Sequence, residues 1–140
     1  RGLGDVYKRQ LYKEHTMADI ITVIVAAAIG YLFKSLENFK NDKAKAKAYK
    51  IILTMDFEQN LSILSEHDLS ENPFKDIKYK LWNKNNIAFA QYVPKEAVLY
   101  GQWLAECKAL IRGVEKWDDP QECIDYMVKY GHELLKSIKS

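Results

Sequence analysis

Glycine and proline are scarce in this chain, and that is the first constraint on its fold. The 140 residues hold six glycines and three prolines. With so few breakers, and with Lys, Glu, Ala and Leu abundant, the composition favours helix. Cysteine is nearly absent. Cys107 and Cys123 form no close pairing motif, and a secreted disulfide framework normally needs more. Free thiols in a reducing compartment are the simpler reading. Catalytic signatures are missing as well: there is no phosphate-binding glycine loop, no CxxC and no HExxH. The sequence therefore offers no catalytic, cofactor-binding or metal-ligating residue, and no cofactor is expected. Glu66-His67-Asp68 resembles a ligand cluster on paper, but adjacent residues of a helix point to different faces and cannot converge on one ion. Cys107 lies in an apolar stripe and reads as a small core residue.

A surplus of one charge is also lacking, once the start of the chain is set aside. Residues 1–10, RGLGDVYKRQ, resemble the translated adapter of transposase-based sequencing libraries at every position. Residues 11–16, LYKEHT, then read as upstream DNA in frame. Lys13-Glu14 can encode a ribosome-binding sequence, with His15-Thr16 as spacer and Met17 as the start. Residues 1–16 are expected to be a non-native leader and are excluded from fold reasoning. They carry four basic residues (Arg1, Lys8, Arg9, Lys13) against Asp5 and Glu14. The whole chain has 21 basic and 19 acidic residues, so residues 17–140 balance at 17 of each. A neutral chain gives no reason to invoke nucleic acid as a partner.

There is one long apolar run. Ile20 to Phe33 is uninterrupted, and Lys34, Lys40, Lys43, Lys45, Lys47 and Lys50 follow it. Fourteen residues fall short of the roughly twenty that cross a bilayer core, but residues 17–36 reach that length. The run is read as a transmembrane helix, with Ile20, Ile24, Ala26, Gly30, Tyr31 and Phe33 in the span. Asp19 would sit at one interface and Lys34 would snorkel to the other. Tyr31 stands where an interfacial aromatic belongs. Ala26 and Gly30 are small and one turn apart, which permits close helix approach. A cleaved signal peptide, with Ala26-Ala27-Ala28 as its small-residue site, and a buried core helix are the alternatives. Lysines only on the C-terminal side predict a single-pass protein of the cell membrane, N-terminus outside and body in the cytoplasm. Lys34, Lys40, Lys43, Lys47 and Lys50 form the juxtamembrane basic set. The last three share a helical face near anionic headgroups, and a merely solvated lysine face is the alternative.

Residues 37–140 are expected to form a cytoplasmic helical domain. The stretch from Leu36 to Asp68 lacks Gly and Pro and predicts a continuation of the membrane helix. Tyr49, Ile52, Leu53, Phe57, Leu61 and Leu64 make an amphipathic stripe, flanked by Asp56 and Asn60. Ser70-Glu71-Asn72-Pro73 breaks it. A second helix is expected from about Pro73 to Gln91, with Trp82 beside its apolar face. Pro94 opens a third, whose seam is Leu99, Trp103, Cys107, Leu110, Val114 and Trp117. Asp119-Pro120 opens a fourth, with Ile124, Met127, Val128, Gly131, Leu134, Leu135 and Ile138 inward. The expected core includes Phe57, Leu61, Trp82, Leu99, Trp103, Leu110, Trp117, Ile124 and Leu134. The fold class is all-α: an N-terminal transmembrane helix continuing into a three- or four-helix bundle.

Glu58-Gln59-Asn60-Leu61-Ser62-Ile63-Leu64, together with Trp82 and Val93-Pro94-Lys95-Glu96, resembles the small uncharacterised single-span proteins of bacteria and phages. The resemblance implies a membrane-tethered helical bundle, a bacterial, phage or metagenomic source, and no catalytic residue. The expected role is a tethered interaction or scaffold module, with the lipid bilayer and a second copy or another protein as partners. A phage or defence component acting on the membrane is the alternative from another class. A small enzyme comes last, for want of convergent polar groups.

Overall fold

The computed structural model describes residues 20, 22–39, 41–66 and 72–140. Every element in them is helical. Residues 1–39 and Lys40–Ser140 form two separate units. The expected leader, residues 1–16, lies outside the described residues.

The described part of the first unit is one helix, α1, over residues 22–36. Alanine, Ile and Leu favour it. Its end tightens: Ser35 Oγ donates to Tyr31 O at 2.9 Å, and the amides of Asn38 and Phe39 reach back to Ser35 O and Leu36 O at 3.0 and 3.2 Å. These three-residue reaches are 3-10 bonds that close a helix. The helix therefore does not continue into the next one, contrary to the expectation for residues 36–68. The absence of Gly and Pro was misleading, because an asparagine restarts the chain. Asn41 is extended, and its Oδ1 accepts the amide of Lys43 at 2.8 Å, an N-cap. Helix α2 then runs Asp42–Ser65.

The second unit continues with a 3-10 turn at Pro73–Asp76 and the helices α3 (Lys80–Tyr92), α4 (Pro94–Gly113) and α5 (Pro120–Lys139). A second 3-10 turn, Val114–Lys116, links α4 to α5. All three prolines open a helical element, where their missing N–H is no loss. Asn72 and Asp119 cap the elements that follow, accepting from Phe74 N and Gln121 N at 3.0 and 2.9 Å. Asn72 also donates to Ile111 O at 3.1 Å, tying the loop after α2 to the end of α4. In the four-helix body, α2 lies against α3 and α5, and α4 touches all three.

The core is an aromatic column through the bundle. Tyr92 stacks on Tyr49, Tyr49 meets Phe89 edge-on, and Phe89 stacks on Trp82. Trp82 meets Tyr100, Tyr100 stacks on Phe57 at 4.5 Å, and Phe57 tilts against Trp103 at 4.9 Å. Each such pair adds about 0.5–1.5 kcal/mol beyond the area it buries. Aliphatic side chains from α2, α4 and α5 close around the column. Ile52, Leu53, Leu64, Leu104, Met127 and Ile138 are among the buried ones.

Phe57, Leu61, Trp103 and Ile124 are buried. Trp82, Leu99, Leu110 and Leu134 are half-buried. On α4 the buried face is Ala97, Tyr100, Trp103, Leu104 and Cys107. It is turned from the expected seam toward Tyr100, so Leu99 and Leu110 fall on its flanks. On α5 Leu135 takes the inward position. Trp117 is a correction: it is 42% exposed. The 3-10 turn after Gly113 changes the helical phase, and Trp117 leaves it in an extended conformation. The second helix is corrected too. Residues 77–79 interrupt it, and the reason is a buried side chain on α2.

Candidate functional site: a closed polar cluster and two surfaces

Two polar residues lie on the buried face of α2. Ile52, Asp56, Asn60 and Leu64 are spaced four apart and share one line of the helix, and all four are buried. Buried polar groups must be hydrogen-bonded or they cost stability. Asn60 meets this demand completely. Its Oδ1 accepts from Lys78 N at 3.0 Å, and its Nδ2 donates to Lys78 O at 3.1 Å and to Tyr100 Oη at 2.8 Å. The amide thus grips the backbone of Lys78 on both sides. It holds residues 77–79 out of helix and delays α3 to Lys80.

Tyr100 closes the cluster. Its hydroxyl accepts from Asn60 and donates to Asp56 Oδ2 at 2.5 Å, the short distance of a charge-assisted bond. Burial raises the Asp56 carboxyl to about 6, opposed by the Tyr100 hydrogen bond and the Lys78 charge. Burial and the neighbouring carboxylate push Tyr100 well above the ordinary phenol range. The three side chains join α2, the segment before α3, and α4. Their donors and acceptors are largely spent on one another, which makes the cluster a fastener between elements.

Sequence reasoning placed Asp56 and Asn60 only on the flank of the stripe and Tyr100 only among the aromatics. The signal was available in the four-residue spacing: a carboxylate and an amide in phase with Ile52 and Leu64 require partners from elsewhere in the chain.

The thiols are not poised for chemistry. Burial, then Glu106 and Cys123, raise Cys107 far above an ordinary thiol, and burial raises Cys123. Reactive cysteines are shifted the other way. Both are free. Among the described residues, no group of three His, Cys, Asp or Glu could hold a metal ion. His67 and Asp68 lie outside the described residues. Among the described residues, the buried Tyr79 hydroxyl has no hydrogen-bond partner. Burial, followed by Cys107, raises its pKa to about 12, and the Lys108 ammonium sits 6.0 Å from its ring centre.

Two surfaces remain. Ile20 is exposed, and so on α1 are Val23, Ile24 and Tyr31, the last at 72%. Ala26 and Gly30 are exposed between them, and Phe33 is half-buried. The fifteen residues of α1 span about 22 Å, against about 30 Å of hydrocarbon. No helix among the described residues is long and apolar enough to cross a membrane. Residues 17–19 and 21 of the expected span lie outside the described residues. The second surface is basic. Lys43 and Lys47 are exposed and Lys50 is half-buried, all at the start of α2. Lys34 is exposed on α1, and Lys40 lies outside the described residues.

No family model, curated protein or solved structure matches the chain.

Proposed function

We propose that the protein is a membrane-tethered helical module. Residues 17–36 are its anchor, and the body from Lys40 onward is a cytoplasmic scaffold for a second copy or a protein partner. One observation carries the reading: Ile20 and, on α1, Val23, Ile24 and Tyr31 are exposed. An exposed aliphatic side chain forgoes about 1.5–3 kcal/mol relative to an apolar environment. Hydrocarbon supplies that environment for the whole helix at once. Residues 17–36 number the roughly twenty that a bilayer core needs. The lysines on its C-terminal side orient it with the body in the cytoplasm.

The body has the character of a scaffold. Its converging polar groups, Asp56, Asn60 and Tyr100, fasten helices to each other.

Alkaline carbonate extraction of cells producing the full chain tests the anchor. The chain should stay in the membrane pellet and be released by detergent. Recovery in the carbonate supernatant would overturn the anchor.

A further inference from the structure

The first nine residues of α2, Asp42 to Lys50, hold four lysines and a single acid, Asp42. This runs against helix electrostatics. Unsatisfied N–H groups make a helix N-terminus positive, and cations are favoured at the opposite end. Yet the last turn of α2 has no basic residue. Among the described residues, Lys43, Lys45, Lys47 and Lys50 form no ion pair. Lys43, Lys47 and Lys50 stand at i, i+4 and i+7 and share a face. Ile51, exposed at 41%, lies on that side too. The arrangement places uncompensated positive charge where the helix dipole already adds to it. A local conflict of this kind marks a surface shaped for a partner.

We propose that this face binds an anionic lipid surface, seating the start of α2 on the headgroups of the membrane that holds α1. The proposal rests on the anchor reading above. Charge complementarity selects the partner, and chain connectivity brings it near. Only six residues of chain, 37–42, separate Leu36 from Lys43, so a membrane-held α1 keeps the stripe on a short tether. Tethering at that range supplies a high effective concentration of headgroups. Each lysine near an anionic leaflet gains about 1 kcal/mol, a factor of about five. The adjacent Ile51 is an apolar contact for the interfacial region. Nucleic acid would meet the same charges, but it has no tether, and residues 17–140 are neutral overall.

The test uses the full chain in nanodiscs of phosphatidylcholine, with or without phosphatidylglycerol. A water-soluble amine-reactive ester labels the lysines, and mass spectrometry reads each site, with exposed Lys84 on α3 as internal reference. Lys43, Lys47 and Lys50 should label about fivefold more slowly, relative to Lys84, in the anionic discs. High salt should erase the difference. Equal rates in both discs would overturn the proposal. So would protection that comes only when RNA is added to neutral discs. Failure of the chain to enter neutral discs at all would instead overturn the anchor, which separates the two readings. The variant Lys43→Gln/Lys47→Gln/Lys50→Gln should still enter neutral discs and keep its helical circular dichroism.

Discussion

Gly131 on α5 faces Trp103 on α4 so closely that an added Cβ would stand 2.9 Å from the indole Nε1. It would also overlap Leu61 Cδ2 on α2. The glycine lets three helices meet at one point. The indole uses the opening to donate to Met127 O at 3.0 Å, so the largest buried side chain is both packed and hydrogen-bonded. Trp82 rests on α4 in a similar way, its Cζ2 standing 2.8 Å from where a Cβ of Gly101 would be.

Gly131→Ala should therefore destabilise the body. Overpacking costs roughly 1–3 kcal/mol, while Ala in a helix returns about 1 kcal/mol. The net effect is a lower Tm by several degrees in a thermal melt. Gly113→Ala is the control: nothing lies within 4 Å of its added Cβ, so its Tm should hold or rise. Equal melting of the two variants would contradict the close approach of α5 to Trp103.

Trp103→Ala should cost roughly 3–5 kcal/mol, since the side chain is fully buried. Trp117→Ala should cost little, within about 0.5 kcal/mol, as surface changes do. Urea titration followed by helical circular dichroism separates the two. A large loss at Trp117 would show that the exposed indole has a partner in solution.

These two tryptophans show how far the sequence could be read. Both sit in the apolar spacing that runs from Leu99, and that spacing contains no sign of where α4 ends. The change to 3-10 geometry after Gly113 is a backbone event, and it separates Trp117 from the core. Helix starts at Pro94 and Asp119-Pro120 were legible because proline and a capping side chain act locally. The stop at Leu36 was not, because the restart depends on one asparagine, Asn41, whose capping role shows only in its own extended backbone. The delay of α3 to Lys80 was beyond local reading altogether. It depends on Asn60, eighteen residues away, gripping the Lys78 backbone. The buried cluster was half legible: the spacing of Asp56 and Asn60 was visible, but the partner Tyr100 is forty or more residues distant.

The Asp56 carboxyl makes stability depend on pH, with a definite sign. Its folded pKa is about 6, above the ordinary value near 4. Between those values the folded chain keeps a proton that the unfolded chain has released. Stability then falls as pH rises through the window and is flat above it. The full span is on the order of 2–3 kcal/mol. Asp56→Asn keeps an oxygen to accept from Tyr100 and removes the buried charge. It should match the parent near about pH 4 and melt higher than the parent at about pH 7.5. A parent whose Tm is flat across the window would show that Asp56 is ionised without cost.

The orientation of the body can be read from its two cysteines. Both are fully buried, and burial raises both thiols. Native protein should therefore resist a maleimide on either side of the membrane, and unfolding has to be part of the assay. Intact cells are treated with a membrane-impermeant maleimide, quenched, lysed and denatured, then labelled with a second maleimide of different mass. A cytoplasmic body should carry only the second label on Cys107 and Cys123, since cytosolic redox buffering keeps thiols reduced. To make the first step informative, Ser137→Cys places an exposed thiol near the end of α5. It should escape the first label in intact cells and take it in lysed, still-folded protein. First-label modification of that thiol in intact cells would put the body outside, against the lysine asymmetry. A Cys107–Cys123 disulfide in freshly quenched protein would point the same way. Removing the charge of Lys34, Lys40 and Lys43 together should loosen this orientation and produce a mixture of the two labels. The Tm of the body should not change with it, because Lys34 and Lys43 are exposed to solvent.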